Sequence, residues 1–470
     1  MSKLHLSLTA VLVAAALTGC GTMAEPPKQD LPAAQSSALS PQLDEWWHSF
    51  NDPTLTTLVD EALAHNADVL TAAERIGQSQ ATLSEADIAL LPDVNLSTSA
   101  TRRKPSQQTA APGQTGTRTI YDGSVNASYE IDLWGRLWKA RDAARAQLAA
   151  TEYARDTTRS AVAAQTAKSY FALLGLDADV ALLTQTLATR NEALELQKRR
   201  FAVGAIGEYE LKIAEAEQAS VAASLPTTIA ARTKAEAALA VLLGRTPREV
   251  IDGTVNRGAG LETLARTPDI PVNLPADLLT RRPDVQQAAS EFQQADASVS
   301  EAKRRFFPSI SLTGLFGGEA LSYSSLGKSS ARTWNAGAVI TQPLIGLATI
   351  YQEVEIAKSS RNQAEIAYAQ AARSAYADAK SALATHDGAK EALAATMIRA
   401  DSQNRVKQLT ELRYKAGTAS YVDLINAERD RLSAERDRVD ALRDRLTALV
   451  GVYQALGGGW EPRQTKQSAS

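Results

Sequence analysis

Side chains that could catalyse a reaction or bind a metal ion are few and scattered in this sequence. The four histidines, His5, His48, His65 and His386, lie far apart, and none has a partner at the short spacing of a metal-binding motif. The sequence contains no nucleophile elbow and no recognisable serine, histidine and aspartate set. Gly204-Ala205-Ile206-Gly207 precedes a predicted helix but follows no strand, so it lacks the context of a nucleotide-binding loop. We therefore expect no catalytic residue, no metal site and no enzymatic activity.

The side chain with a predicted chemical role is Cys20, the only cysteine of the chain. Lys3 provides positive charge, and Leu8 to Leu17 form an apolar stretch that is too short to span a membrane as a helix. Leu17-Thr18-Gly19 then precede the cysteine. The pattern resembles a bacterial lipoprotein signal, which predicts removal of residues 1–19 and a covalent lipid on Cys20, with no other cofactor. The alternative is an ordinary secretory signal with an incidental cysteine.

The residues after this cysteine indicate where such a lipoprotein would go. In bacteria that resemble the enteric model, an aspartate directly after the lipidated cysteine retains lipoproteins at the inner membrane. Gly21 stands at that position here. Residues 20–42 are rich in Pro, Ser, Ala and Gln and are predicted to form a lipidated, flexible tether. The sequence therefore favours attachment to outer-membrane lipid.

Composition limits the remaining function classes. The chain has 470 residues, of which 22% are charged, and its formal net charge is −3. A nucleic-acid-binding protein would usually present a basic face, so no nucleic-acid partner is expected. Aromatic residues are scarce at 5%, and the abundance of alanine favours long, closely packed helices. After residue 20 no apolar run approaches the ~18 residues of a spanning helix, so any membrane crossing must use strands.

The sequence repeats itself once. Phe201-Ala202-Val203-Gly204 matches Tyr414-Lys415-Ala416-Gly417, and the second glycine follows the first by 213 residues. Leu91-Pro92 matches Phe307-Pro308 at nearly the same offset. This period is too long for a solenoid and predicts two tandem structural repeats. The predicted organisation is a signal peptide (1–19), a tether (20–42), a first repeat (43–243), a connecting segment (244–279), a second repeat (280–456) and a C-terminal tail (457–470).

Each repeat contains two segments in which apolar and polar residues alternate, at ~93–102, ~120–133, ~309–317 and ~333–344. In the second of these, Val125, Ala127 and Tyr129 alternate with Asn126 and Ser128. Segments of about ten residues with period two are typical of membrane-spanning strands. Soluble antiparallel sheets alternate as well, but here the polar positions hold Ser, Asn, Asp and Glu rather than Lys, and long polar loops join the strands.

Four such strands cannot close a barrel. An open sheet edge in lipid leaves unpaired backbone groups that cost several kcal/mol each, so other copies of the chain must complete the sheet. Two copies would give about eight strands and a filled interior, whereas three would give about twelve strands and room for a lumen.

The remaining sequence predicts helices of two lengths. Arg136 to Arg200 and Leu347 to Lys415 are each expected to form a rod roughly 100 Å long, with Gly175 as the one plausible stop in the first. Shorter helices are predicted at 55–90, 208–243, 284–306 and 421–456. End to end, two short helices about match one long one, which fits a wall of long helices beside stacked short pairs.

The spacing within the shorter helices is that of a coiled coil. The steps of 3 and 4 typical of a heptad pattern are seen in Leu211, Ala214, Gln218, Val221 and Leu225, of which all but Gln218 are apolar. Pro226 follows and is expected to bend this helix locally.

Four segments of the sequence resemble one family of proteins. They are Glu45 to Pro53 (EWWHSFNDP), Tyr129 to Arg136 (YEIDLWGR), Leu279 to Val285 (LTRRPDV) and Ala455 to Trp460 (ALGGGW). Together they span nearly the whole mature chain in the expected order. The sequence therefore resembles the TolC-like outer membrane factor family, in its outer-membrane efflux lipoprotein branch.

The resemblance implies an α+β membrane protein built from two tandem structural repeats. Each chain would contribute four strands to a trimeric 12-stranded β-barrel that continues into a long periplasmic 12-helix α-barrel. The homotrimer would be lipid-anchored in the cell outer membrane, extend into the periplasm, and act with a periplasmic adaptor protein and an inner-membrane efflux pump. The implied function is the exit duct of a tripartite efflux pump for drugs or small solutes. The substrates, and the particular pump and adaptor, do not follow from the sequence.

Other functions remain open at this point. A duct for type I protein secretion belongs to the same class, although the resembling secretion ducts usually lack a lipoprotein signal. A structural periplasmic coiled-coil lipoprotein would not need the alternating strands. A periplasmic adaptor would lack paired amphipathic strands of about ten residues with long polar loops.

The resemblance also implies a periplasmic aperture at the start of the last helix. The matching residues are Tyr414, Tyr421, Val422, Asp423, Asn426 and Arg429. Family members often place acidic residues at the positions of Asp423 and Asn426, and some have a basic residue where Ala419 stands here. We therefore expect an altered ion-pair latch and a less negative constriction. We also expect a tip that is closed at rest, since a permanently wide tube would leak.

Several of these residues have a second interpretation. A ring of Asp423 carboxylates would favour cations, but a carboxylate in the first turn of a helix also offsets the helix dipole. The two tyrosines could pack the closed tip or a helical core, and Arg429 could pair with a neighbouring copy. Gly204 and Gly417 are predicted to end the long helices with positive φ. The tryptophans Trp46, Trp47 and Trp460 could line a membrane interface or pack in a collar with the connecting segment.

Overall fold

The computed structural model of the protein describes residues 25–27, 44–106, 108, 116–266 and 282–460. The signal peptide, Cys20 and most of the tether lie outside the described residues. So do the middle of the first interstrand loop, the end of the connecting segment with Leu279-Thr280-Arg281, and residues 461–470. The chain divides into two compact units, of which the first contains Arg75–Glu152 and Gln287–Ala369. The second contains Gln29–Glu74, Tyr153–Gln286 and Gln370–Ser470.

The first unit contains a four-stranded antiparallel sheet in the order β1-β2-β3-β4. The strands are β1 (Asp93–Arg103), β2 (Arg118–Ile131), β3 (Ser309–Ala320) and β4 (Arg332–Thr341). β2 and β3 come from different repeats and pair directly, with Ile131 opposite Ile310. β4 ends three residues before the predicted boundary at 344, because Pro343 has no N–H to donate to a neighbouring strand.

Helices account for most of the remaining described chain. In chain order they are α1 (Pro53–His65), α2 (Ala67–Ile88), α3 (Arg136–Ala202), α4 (Glu208–Leu242), α5 (Pro247–Asp252), α6 (Leu261–Leu264), α7 (Pro283–Arg304), α8 (Leu347–Lys415) and α9 (Tyr421–Ala455). α3 has 67 residues and α8 has 69. α3 continues through Gly175, and α4 continues through Pro226.

The predicted helix at 55–90 is two helices, α1 and α2, separated by Asn66. The Asn66 side chain accepts a hydrogen bond from the Asp68 N–H at 2.9 Å, so it caps α2. Its amide donates to the Leu242 carbonyl at the end of α4, at 2.8 Å. The break therefore depends on a partner 176 residues away along the chain, which no local pattern reveals.

The second unit contains one large hydrophobic core. It joins a short 3-10 helix (Trp46–Phe50) to α1, to the middle of α3 and to the C-terminal half of α9. Val255, Leu261 and Leu264 of the connecting segment belong to the same core. Trp46, Trp47 and Trp460 are all buried, so these tryptophans pack in the protein core rather than at a membrane interface.

A stretch of α3 corrects the expectation that no later segment is apolar enough to span a membrane. By length and composition alone, α3 contains a window that could cross one. The core of the second unit takes up much of the apolar surface of this helix, including Tyr170, Phe171 and Leu173, which are fully buried. Core packing therefore accounts for the apolar character of α3 in this structure.

Candidate functional site

The strand register places apolar side chains from all four strands on one face of the sheet. Leu96 pairs with Val125, Val125 with Phe316, and Phe316 with Trp334, so the four form a continuous row. All four side chains are exposed in the single chain, Leu96 and Trp334 by about three quarters (76% and 75%). A monomeric soluble protein rarely exposes so large a contiguous apolar surface, which marks this face for contact with lipid or protein.

The opposite face of the same sheet is polar. The next row across the four strands is Asn95, Asn126, Leu315 and Asn335. The Asn126 amide donates to the Ser97 hydroxyl at 3.0 Å, and Ser97 and Ser124 lie 3.1 Å apart. One face therefore suits an apolar medium and the other suits water, as in the wall of a membrane barrel with a wet lumen.

The segment Tyr129 to Arg136 forms the corner where β2 leads into α3. Arg136 donates two hydrogen bonds to the carboxylate of Glu130, at 3.0 and 2.9 Å. The Trp134 ring stacks on Phe307, with ring centroids 4.8 Å apart, and its indole N–H donates to the Pro308 carbonyl at 2.8 Å. These contacts join the β2–α3 corner of the first repeat to the α7–β3 corner of the second, and each corner contributes one aromatic ring.

Two helical turns carry the predicted tip glycines. Gly204 has a φ of +72° between α3 and α4, and Gly417 has a φ of +73° between α8 and α9. Thr418 N–H donates back to the Arg413 carbonyl at 2.9 Å, and Ala205 N–H donates to the Arg200 carbonyl at 2.8 Å. Both turns are therefore left-handed C-caps in which glycine avoids the Cβ clash, as the sequence predicts.

Asp423 forms a capping box at the start of α9. Its carboxylate accepts hydrogen bonds from the Ser420 hydroxyl at 2.7 Å and from the Ser420 N–H at 2.9 Å. The Asp423 N–H donates to the Ser420 hydroxyl at 3.1 Å. These hydrogen bonds from Ser420 hold the pKa of Asp423 below its ordinary value, and the carboxylate is fully solvent-exposed. The side chain therefore caps the helix and presents a negative charge at neutral pH.

The other predicted aperture residues divide between a core and a surface. The Tyr421 ring packs with Ala214 and Ile425, and burial raises the pKa of its hydroxyl. The Tyr414 ring lies 5.9 Å from that of Tyr421, and its hydroxyl accepts a hydrogen bond from Arg200 at 2.7 Å. Val422 is half-buried, whereas Asn426 is exposed beside Asp423. The tyrosines thus pack within one chain, and the exposed pair faces away from that core.

Arg429 has a partner within its own chain. Its guanidinium pairs with the carboxylate of Glu217 on α4. Glu217 also lies 3.7 Å from Arg190 of α3, and Arg190 donates to Glu428 of α9. Three helices of one chain therefore meet at four charged side chains.

Sequence reasoning did not find Arg190, Glu217 or Glu428. Heptad spacing points to Gln218 as the inward position of α4, but Glu217 is the buried residue and Gln218 is only half-buried. The buried positions of α4 step by 3, 3 and 4 from Leu211 through Ala214 and Glu217 to Val221, so one step departs from the heptad pattern. The repeat of the buried positions Leu211, Ala214 and Val221 gives a partial signal, but it does not identify the partners on other helices.

Comparison with known families decides the identity of the chain. The model of the outer membrane efflux protein family matches residues 58–245 and 274–458. The chain belongs to the outer membrane efflux protein family. Both matched segments include one pair of strands and one long helix, so the family match follows the duplication.

Relatives of this efflux protein align with it over nearly their full lengths. The pyoverdine export outer membrane protein OpmQ of Pseudomonas putida is 28% identical over 434 residues, covering 91% of this chain and 90% of OpmQ. The probable outer membrane lipoprotein SilC of Salmonella typhimurium is 26% identical over 473 residues, covering 98% and 100%. The crystal structure of the Campylobacter jejuni CmeC outer membrane channel superposes with a TM-score of 0.84 at 26% identity, covering 94% and 96%.

Family and relatives together confirm the main prediction from the sequence. The protein is an outer-membrane channel of an efflux system, and it is a transport duct rather than an enzyme. The likeness to CmeC covers both the helices and the small sheet, because it extends over 94% of the chain. The sheet faces and the helical turns described above are therefore parts of an efflux channel.

Proposed function

We propose that this efflux protein is the exit duct of a tripartite pump and that it functions as a homotrimer. The observation that carries the proposal is the amphipathic sheet with two open edges. In the described chain β1 pairs with β2 and β4 pairs with β3, and neither has a second neighbour. Open edges in lipid cost several kcal/mol per unpaired group, so sister copies complete the sheet. Three copies supply about twelve strands and a lumen lined by the polar face.

The helices of the three copies form the periplasmic part of the duct. Each chain supplies two long helices, α3 and α8, and two pairs of shorter helices, α2 with α4 and α7 with α9. A cross-section of the barrel therefore cuts four helices from each chain, or twelve from three copies. Support for this arrangement comes from the lengths of the helices, 67 and 69 residues for the long ones. A periplasmic adaptor and an inner-membrane pump deliver drugs or other small solutes to this barrel.

Cys20, the first residue after removal of the signal peptide, anchors the assembly to the membrane. Cys20 lies outside the described residues, and support comes from the lipoprotein-like signal and from the name of SilC. Metabolic labelling with a palmitate analogue tests the anchor. The wild-type protein should take up label, Cys20→Ala should take up none, and label on both would contradict attachment at this residue.

The aperture of the duct lies at the α8–α9 turn and is closed at rest. Three Asp423 carboxylates form a ring there, with Asn426 beside them and with Tyr414, Tyr421, Val422 and Arg429 behind. The ring favours cations because like charges at a narrow opening focus the potential. Support comes from the exposure of Asp423 and from the hydrogen bonds that lower its pKa and favour the charged form.

Conductance of the purified protein in planar bilayers tests the aperture. Asp423→Asn should lower the preference for cations and alter the resting conductance. Glu210→Gln is the matched control, since Glu210 lies 213 residues before Asp423 at the same position in the first repeat. The control should behave like the wild type. Equal conductance and selectivity in all three proteins would contradict an aperture at Asp423.

Loss of the protein from its host tests the function itself. Deletion should increase susceptibility to at least one class of toxic small solutes, and expression of the wild-type protein should reverse this. Unchanged susceptibility together with loss of a secreted protein would support a secretion duct instead. A stable monomer of the purified mature protein in native mass spectrometry would contradict the trimer.

A further inference from the structure

Four charged side chains form a cluster where α3, α4 and α9 meet, near the two helical turns. We call Arg190, Glu217, Glu428 and Arg429 the charge cluster. Arg190 donates to Glu428 and lies 3.7 Å from Glu217, which in turn accepts from Arg429. Two positive and two negative groups thus connect three helices of one chain.

The centre of the charge cluster is buried. The side chain of Arg190 is only 3% exposed and that of Glu217 only 6%, whereas Arg429 at the rim is exposed. The Arg190 Nε–H is buried without a hydrogen-bond acceptor. Desolvating such groups costs free energy, and well-packed apolar residues in place of a buried ion pair often leave stability unchanged or higher. Stability alone therefore does not account for the cluster, whereas fixing one relative position of the helices does.

The sequence duplication shows that the charge cluster is not a by-product of the helical scaffold. A shift of 213 residues moves Glu217 to Asp430 and Glu428 to Glu215, so the acidic character persists. The same shift moves Arg190 to Gln403 and Arg429 to Ala216, so both arginines are absent. Asp430 is exposed, and Glu215 pairs instead with Lys212 on its own helix, at 2.9 Å. The arginines therefore serve the contact between α9 and the first repeat.

The charge cluster lies beside the proposed aperture on α9. Glu428 follows Asn426 by two residues and Asp423 by five. Tyr421, about two turns before Glu428, packs against Ala214 of α4. Between Tyr421 and Arg429, α9 therefore contacts the first repeat through the apolar packing of Tyr421 and through the two ion pairs of the charge cluster. Without Arg190, Glu428 would lose its cationic partner and Glu217 would keep only Arg429, so the contact of α9 with α3 and α4 would be weaker.

We propose that Arg190 is a positioning residue of the channel. It holds the start of α9 against α3 and α4 and so keeps Asp423 and Asn426 where they narrow the duct. This proposal rests on the aperture described under the proposed function. It adds that the resting state is set within each chain, from a buried group on α3 that does not itself contact the solute.

Resting conductance of the full-length protein in planar bilayers tests the role of Arg190. Arg190→Met should raise the open fraction by about tenfold or more, because it leaves Glu428 without its cationic partner and removes one of the two cations beside Glu217. Glu428→Gln should raise it less, and Arg190→Lys should restore low conductance because it returns the charge. Arg436→Met is the control, since Arg436 of α9 pairs with Asp179 of α3 at 3.6 Å, two turns further along α9. The control should conduct like the wild type.

The outcomes separate this proposal from the one on which it rests. If Arg190→Met and Glu428→Gln assemble and conduct like the wild type, or if Arg436→Met opens the channel equally, Arg190 does not position the aperture. If Arg190→Met fails to assemble, the comparison of Arg190→Lys and Glu428→Gln decides, and equal wild-type conductance in both overturns the proposal. A wild-type protein that never forms a conducting pore overturns the proposed function as well.

Discussion

Single residues in this chain connect segments that are far apart in sequence. The buried carboxylate of Asp52 accepts hydrogen bonds from the Thr54 N–H and from the Tyr170 hydroxyl, both at 2.9 Å. The Tyr170 hydroxyl accepts in turn from the Gly258 N–H at 2.9 Å. Burial, with a smaller contribution from Asp52, raises the pKa of Tyr170 well above its ordinary value. The phenol therefore stays protonated and remains a donor to Asp52, joining the N-terminal motif, α3 and the connecting segment.

Removal of the Tyr170 hydroxyl should destabilise the second unit more than removal of the Tyr453 hydroxyl, which makes fewer hydrogen bonds. Tyr170→Phe leaves a buried carboxylate oxygen and a backbone N–H unpaired, at a cost of about 1–3 kcal/mol. Tyr453→Phe is the control, because the Tyr453 hydroxyl has one hydrogen-bond partner in the part of the chain that the structure describes, the Ser49 hydroxyl at 3.1 Å. Its loss should cost about 1 kcal/mol or less. Thermal unfolding of the detergent-solubilised variants measures both. An equal or larger loss in Tyr453→Phe would contradict the assigned role.

Helix ends in this channel are set by local chemistry. Gly204 and Gly417 adopt positive φ where the long helices stop, and Ser420 with Asp423 starts α9 within three residues. Both signals are readable from the sequence because glycine and the Ser-x-x-Asp pattern act over a few bonds. The break at Asn66 has no such signal, since its amide is held by the carbonyl of Leu242.

Substitution of alanine for glycine should have opposite effects at a helix end and within a helix. Gly417→Ala places a Cβ at a φ of +73° and should cost about 1–2 kcal/mol. Gly77→Ala lies in the interior of α2, where nothing is within 4 Å of the added Cβ, and should stabilise by about 0.5–1 kcal/mol. The melting temperatures of the two variants should therefore lie on opposite sides of the wild type. A shift in the same direction would show that other contacts dominate.

At the scale of the whole molecule, the two faces of the sheet face different solvents in the proposed channel. Adjacent residues on β4 have opposite environments, because Ala336 belongs to the apolar face and Asn335 to the polar face. An arginine on the lipid side of a barrel costs about 2–4 kcal/mol near the bilayer midplane, whereas the lumen tolerates one. Because Asn335 and Ala336 are adjacent and lie at nearly the same depth, the face of the residue should decide which of the two positions accepts a charge.

Arginine substitutions at these two neighbouring positions test the orientation of the sheet. Ala336→Arg should reduce the amount of folded, membrane-inserted trimer, which is measured by heat-modifiable gel mobility of outer-membrane fractions. Asn335→Arg should insert normally and reduce the conductance for cations, because it adds positive charge to the lumen. The reverse pattern would show that the polar face contacts lipid.

The amino-acid sequence alone determined the features of this protein that depend on near neighbours. The alternating strands, the two long helices, the glycine caps and the duplication can all be recognised within short windows, because side-chain direction repeats every 2 or 3.6 residues. The family likeness of the YEIDLWGR and EWWHSFNDP segments can also be recognised from the sequence, since each motif is contiguous.

Only the tertiary structure decided which side chains meet across elements. Arg429 pairs with Glu217, which lies 212 residues earlier, and Arg190 pairs with Glu428, 238 residues later. The fate of Trp46 and Trp47, buried in the core of the second unit, was likewise undecided by their sequence. Such contacts depend on the rotation of each helix about its own axis, and a drift of one residue changes the direction of a side chain by about 100°.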